Sequence, residues 1–356
     1  MAINGIQKQQ AHMMSGSDAF FERAATLIEQ ARTLVARTID KTMCVTYFEL
    51  GRMIIEEEQD GEAKAKYGSK LLTRLSEYLT DKFGRGFSLT NLKNARKFYQ
   101  AYKNQIGQKS SDQFIVGWSH YIFLSSIDNF DERRFYEIEA ARELWSIKKL
   151  KREYYSSLYE RLALSRDKDR VIDLAREGNT ITTPHDILKS PFVLEFLGMD
   201  ERDIYTETDL ESAVITKMQL FLLEMGKGFL FEARQKRFTY DGDSFYVDLV
   251  LYNRLLQCYV LIDFKNDDLS HQDLGQMLMY VNYYDRIIKQ DYEKPTVGIL
   301  ICKKNKQGIV EMTLPEDANV YASEYKLYLP DKKLLQEKLN EWIEEFDSDE
   351  ESFKPA

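Results

Sequence analysis

Apolar residues recur at three- and four-residue spacing through most of the first 164 positions, then give way to short runs rich in Val, Leu, Ile, Tyr and Phe. The first pattern predicts amphipathic helices and the second predicts strands. Helices are expected over Phe20–Ala36, Thr42–Glu58, Ser69–Phe83 and Leu89–Tyr102, with Gly84-Arg85-Gly86 as a turn and Ser88 as an N-cap. Another helix opens at Gly117-Trp118-Ser119-His120-Tyr121, and a long one is expected from Asp131 to Leu164. Charges dominate 165–183, Pro184 and Pro191 follow, and one helical turn is expected over Phe192–Leu197. Beyond lie a helix Leu210–Met225, a strand Phe229–Tyr240, a turn at Asp241-Gly242, and strands Phe245–Tyr252 and Cys258–Ile262. A helix Gln272–Lys289 capped by Ser270, a buried parallel strand Pro295–Cys302, a strand Tyr325–Leu329 and a helix Lys332–Phe346 complete the pattern. The fold class is therefore α+β. A polar tail (1–16) precedes an all-helical domain (17–165), a connector (166–200), an α/β domain with a central mixed sheet (201–346) and an acidic tail (347–356).

The chemistry concentrates between Asp243 and Tyr280. Asp248 interrupts one apolar run and Asp263-Phe264-Lys265 ends the next. A carboxylate inside an apolar strand is costly unless it is paired or binds a metal. Residues two apart on a strand share a face, so Asp263 and Lys265 point together while Phe264 enters the core. In a hairpin of matching register, Asp248 comes near Asp263. Two carboxylates with a backbone carbonyl, that of Phe264, make an oxygen-rich site suited to Mg²⁺ or Mn²⁺. Such an ion activates water and stabilises charge on a phosphate, and Lys265 would position or activate that water.

Asp…Asp-x-Lys on adjacent strands, followed by a helix carrying Gln276 and Tyr280, resembles the PD-(D/E)xK nuclease core. The chain is more closely similar to the YhcG-type proteins, which join such a domain to an amino-terminal helical domain. The blocks FLLEMGKGFLFEARQKRF, FYVDLVLYNRLLQCYVLIDFK, GQMLMYVN and TVGILICKK carry this resemblance in the second half. In the first half GRGFSLTNLKNARKFYQAY, WSHYIFLSSI and ARELWSIKKLKREYYSSLYERL carry it. Two positions depart from the pattern: Val247 stands where proline is usual, and Asp263 where relatives usually have Glu. The resemblance implies a restriction-endonuclease-like fold and metal-dependent hydrolysis of phosphodiester bonds, in DNA first, with RNA as the alternative. It places Glu224 on the first core helix as an aid to the metal, and Gln276 near the metal with Tyr280 supporting it. Arg234 and Gln235 match the family's usual residues on the first strand, where bases could hold phosphates and Tyr280 lies on the nucleic-acid side. Glu211 is read as a partner for the helix dipole. A catalytically quiet binding or assembly module of a restriction or phage-defence system is the alternative function.

Helix, glycine turn and a helix bearing Asn91, Lys93, Asn94, Arg96 and Lys97 have the outline of a helix-turn-helix. Lys93, Arg96 and Lys97 are the candidate phosphate contacts there, against the plainer reading of a solvated bundle face or a dimerising domain. Net charge is −9, but seven acids lie in 341–351, leaving about −2 elsewhere, so charge argues neither for nor against nucleic acid. Three scattered cysteines, the lack of an apolar run of membrane length and the lack of a signal-peptide pattern predict a cytoplasmic protein.

Overall fold

The computed structural model describes residues 16–60, 65–104, 114–166, 168–199, 205–315 and 317–341. Apart from Gly16, the two predicted tails lie outside the described residues. The chain divides into two compact units, Met1–Asp128 and Asn129–Ala356. Among the described residues no helix is long and apolar enough to cross a membrane.

The first unit holds α1 (Gly16–Asp60), α2 (Ala65–Phe83), α3 (Leu89–Tyr102) and α4 (Trp118–Leu124). α1 is continuous where two helices were expected. Its middle contains neither Gly nor Pro, and the Thr42 hydroxyl is satisfied inside the helix by the Thr38 carbonyl at 2.8 Å. α1 and α3 cross at Gly51, where a Cβ would stand 2.2 Å from the Ala95 carbonyl oxygen; only glycine permits that approach. Beside the crossing, Phe48, Phe98, Phe114 and Tyr121 pack ring against ring. Ser88 caps α3 as its sequence predicts, accepting the Asn91 N–H at 3.3 Å.

The second unit begins with α5 (Phe130–Arg142), α6 (Ile147–Tyr155), α7 (Leu158–Ala163) and α8 (Lys168–Glu177). One long helix had been expected over the first three. Left-handed backbone at Leu144 (φ +51) and Ser157 (φ +57) divides it, and Ser146 caps α6 by accepting the Lys149 N–H. α8 occupies the charged stretch read as a connector. The strand β1 (Phe192–Val193) stands where a helical turn was expected, and the turn itself is confined to Glu195–Leu197.

The expected helix Leu210–Met225 is two helices, α9 (Glu207–Thr216) and α10 (Met218–Met225), separated at Lys217. β2 (Phe229–Tyr240), β3 (Asp243–Asn253) and β4 (Cys258–Asp268) follow as an antiparallel meander, then α11 (His271–Tyr283), β5 (Val297–Lys304), α12 (Gln307–Thr313) and β6 (Val320–Lys326). β6 starts and ends earlier than its pattern predicts. Ser270 caps α11 in a reciprocal box with Asp273.

The six strands form one mixed sheet in the order β1-β6-β5-β4-β3-β2, parallel from β1 to β4 and antiparallel from β4 to β2. β4 is central and buried on both faces. Val260, Ile262 and Phe264 pack with Leu210, Val214 and Phe221 of α9 and α10. Leu261 packs the other way, with Leu274, Met277 and Tyr280 of α11. Alternation breaks on β3, where Val247 and Val250 join the α11 side but Leu249 and Leu251 the opposite side. The residue at the break is Asp248.

Buried ion pairs tie α5 and α7 to α10, to the turn before β2 and to the segment after β6. Arg161, fully buried, meets Glu224; Lys227 meets Glu139; and Lys332 meets both Glu132 and Glu160. Charges so buried are tolerated only when paired in this way. The second compact unit begins at Asn129, while the connector read from composition spans 166–200.

Candidate active site

β3 and β4 run antiparallel with Leu249 opposite Ile262, so the next position brings Asp248 and Asp263 side by side. Each carboxylate is held by the other's strand. Asp263 Oδ1 accepts the Asp248 N–H at 3.2 Å, and Asp248 Oδ2 accepts the Phe264 N–H at 2.9 Å. Asp263 is only 3% exposed. Burial, and then the charge of Asp248, push its carboxyl up to about 7, while Lys265 pulls the other way. Burial likewise raises Asp248, opposed by the Phe264 N–H, Lys265 and Gln235. Two buried carboxylates side by side, Asp263 raised further by the charge of Asp248, form a site a divalent cation would relieve.

Lys265 lies on the same face as Asp263, its Nζ 3.5 Å from Glu207 at the start of α9. Burial would lower its pKa, but Asp263, Glu207 and Asp248 together raise it, so the ammonium stays charged. The Gln276 amide donates to the Tyr280 hydroxyl one turn along α11. Tyr280 is 1% exposed, so it supports Gln276 rather than offering a surface to a phosphate.

The acid supplied by the first core helices differs from the expectation. Glu224 is not at the site. Its carboxylate sits against Arg161 and accepts the Val193 N–H at 3.0 Å, and Lys189 lies 3.7 Å away. Burial alone would raise Glu224, yet Arg161, Lys189 and the Val193 N–H hold it below the usual carboxylate range. The break at Lys217 is the cause: it separates α10, which carries Glu224, from α9, whose Glu207 and Glu211 reach the Asp248 end of the sheet.

Glu211, read from the sequence as a dipole partner, shares one amide with Asp248. Gln235 Nε2 donates to Glu211 Oε2 and to Asp248 Oδ1, each at 2.8 Å. Burial and the Asp248 charge raise Glu211, opposed by that amide and Arg234. Gln235 has left-handed backbone inside β2 (φ +44), a conformation costly for a residue with a side chain and often found where function constrains it. Arg234 is exposed beside this group. The i, i+4 spacing of Glu207 and Glu211 on one helix face was the signal available for both acids.

Among the described residues no three His, Cys, Asp or Glu side chains already converge as a ready shell. The donor set is nevertheless suited to Mg²⁺ or Mn²⁺, which bind through one or two carboxylates and keep several waters. In the first unit, Lys93 and Lys97 are exposed on α3, whereas Arg96 pairs with Glu58 at 2.8 Å. Asn91 is committed to the fold, bonding the Gly86 carbonyl and accepting from the Trp118 indole.

A family model described as the YhcG PDDEXK nuclease domain matches residues 185–340, and one described as the DUF1016 N-terminal domain matches 23–161. The Escherichia coli (strain K12) protein named "Putative nuclease YhcG" is 36% identical over 342 residues, spanning 88% of this chain and 91% of that protein. Among solved structures, a repair endonuclease from Pyrococcus abyssi is 22% identical, covering 36% of this chain, with a TM-score of 0.25. The structure of the EndoMS-dsDNA2 complex is 17% identical, covering 37% of this chain, with a TM-score of 0.26. In both structures the matched stretch is half of the other chain.

Proposed function

Because the chain belongs to the YhcG family, with a PD-(D/E)XK nuclease domain behind a DUF1016 amino-terminal domain, we propose that it is a metal-dependent nuclease acting on DNA through Asp248, Asp263 and Lys265. The observation that carries this reading is the mutual clasp of Asp248 and Asp263 with the charged Lys265 on the same face. Asp248 and Asp263 would hold Mg²⁺ or Mn²⁺, with the Phe264 carbonyl as a further oxygen donor. The ion supplies Lewis acidity at the scissile phosphate.

The chain's own groups supply positioning and charge. A lysine whose pKa is raised does not act as a general base at neutral pH. The Lys265 ammonium instead donates hydrogen bonds, orienting the attacking water and offsetting negative charge on the phosphate. Gln276, fixed by Tyr280, presents a polar side chain beside it. Glu211 takes the supporting role first assigned to Glu224, joined to Asp248 through Gln235. Arg234 is a candidate phosphate contact on β2, and Lys93 and Lys97 on α3 are candidates in the first unit.

The reading is tested with Asp263→Asn. Cleavage of a nucleic-acid panel and calorimetric Mn²⁺ binding should both be lost while the thermal transition persists. Undiminished Mn²⁺ binding would remove Asp263 from the site.

A further inference from the structure

A groove of about 560 Å³ lies between β2 and α11, with Phe238, Tyr240, Gly275, Met279, Tyr283 and Arg286 among its lining residues. Tyr280 links it to Gln276 of the candidate active site. Phe238 packs edge-on to Tyr280 at 5.5 Å, Tyr280 in turn meets Gln276, and Gly275 is the residue preceding Gln276. Its volume falls within the range of about 300–1,000 Å³ typical of small-ligand sites.

Three further features indicate what it takes. Its aromatic wall is preassembled: Phe238 and Tyr283 are stacked at 4.1 Å with 19° between planes, and Tyr240, 57% exposed, stands edge-on to Tyr283. Gly275 sits inside α11, where glycine is disfavoured relative to alanine. No protein atom lies within 4 Å of the place its Cβ would take, so packing does not require the glycine. It leaves bare helix backbone on the groove wall, which admits a flat group closely. Finally, Arg286 and Ile287 belong to a π-helical turn, Tyr284–Ile288, a rare form often found at functional sites. Arg286 is exposed and pairs with no carboxylate among the described residues.

The exposed ring of Tyr240, backed by the stacked Phe238 and Tyr283, together with open backbone and an unpaired guanidinium, is what a nucleobase and its phosphate require. An apolar protein segment would leave that guanidinium without a partner. We propose that this groove receives an unpaired base of the substrate strand, with Arg286 on the adjoining phosphate. The substrate is then a nucleic acid with an unpaired nucleotide next to the scissile bond. This deepens the nuclease reading and rests on it.

The test compares a fully paired DNA duplex with the same duplex carrying a short gap, 2-aminopurine being placed at the unpaired position. Affinity is measured in EDTA and cleavage in Mg²⁺, for wild type, Gly275→Leu and Tyr240→Ala. Leucine is a good helix former and meets nothing within 4 Å, so Gly275→Leu should keep its thermal transition. Wild type should bind the gapped duplex about tenfold more tightly, with quenching of the 2-aminopurine, as one stacked base gives. Both variants should lose that preference and the quenching, and bind the paired duplex as before. Equal binding of the two duplexes by wild type, or preference and quenching retained in both variants, would overturn the proposal and leave the groove to another ligand such as a protein segment. Quenching lost in the variants without cleavage of either DNA by wild type would instead sink the nuclease reading while supporting the base site.

Discussion

The carboxylate of Asp263 accepts the main-chain N–H of Asp248, and the carboxylate of Asp248 accepts that of Phe264, so each acid is oriented by the strand bearing the other. Neither side chain needs a long lever to reach its place. The arrangement keeps two carboxylates together at the cost of their ionisation, which connects the site to stability.

Asp263 has a folded pKa of about 7 against 3.8 for the free side chain. The folded chain therefore binds this proton more tightly than the unfolded chain does. Stability contributed by the group is full below about pH 4 and falls as pH rises through about 7. In EDTA at pH 8, Asp263→Asn should accordingly raise stability, by on the order of 1–4 kcal/mol. Urea denaturation at pH 8 and pH 5 checks this: the gain should shrink at the lower pH. Mn²⁺ should stabilise wild type more at pH 8 than at pH 6, because protons compete for the same oxygens. A pH-independent effect of the substitution would show that Asp263 ionises freely.

Glu211 and Glu224 should respond oppositely to substitution. Glu211→Gln, at a partly exposed position, should change stability by less than about 0.5 kcal/mol and lower cleavage by about tenfold or more. Glu224→Ala removes the partner of the fully buried Arg161 and should cost about 3–5 kcal/mol. Urea midpoints and cleavage rates on the folded fraction separate the two. A Glu224 variant of normal stability with abolished cleavage would return it to the site.

Much of this was legible locally. The β2–β3–β4 meander follows from runs of strand-forming residues and the Asp241-Gly242 turn, and Ser88 and Ser270 cap helices as their positions predict. That Asp263 and Lys265 share a face follows from strand periodicity, and Asp248 joins them because the hairpin register sets Leu249 opposite Ile262. The breaks at Leu144, Ser157 and Lys217 were not legible, because no glycine or proline marks them. The assignment of Glu224 depended on the break at Lys217 and on Arg161, 63 positions away. The left-handed backbone at Gln235, inside a strand, was not legible either, because nothing in the sequence announces it.

The position of α5–α8 gives a prediction about fragments. A piece starting at residue 185 lacks Arg161, Glu132, Glu160 and Glu139, and leaves Glu224, Lys332 and Lys227 as buried or half-buried charges without their partners. It should unfold without a cooperative transition. A piece covering 129–341 keeps these pairs and should unfold cooperatively. Urea titration followed by circular dichroism distinguishes them, and a cooperative 185–341 fragment would show that the ion pairs are dispensable.

Gln235→Ala should release Glu211 from Asp248 without disturbing the core. Cleavage should fall several-fold, and more Mn²⁺ should be needed for half-maximal rate; Gln235→Glu should shift the pH profile instead of restoring it. An unchanged Mn²⁺ requirement in both variants would reduce the amide to a surface contact.

The most direct measurement is cleavage of linear, circular, single-stranded and branched DNA, and of RNA, in Mg²⁺, Mn²⁺ or EDTA, by wild type and Lys265→Ala of equal purity. The proposed site predicts cleavage of at least one DNA with either ion, none in EDTA, and loss of about a hundredfold or more in Lys265→Ala, whose fold and metal binding persist. Full activity in Lys265→Ala, or cleavage by wild type in EDTA, would contradict it.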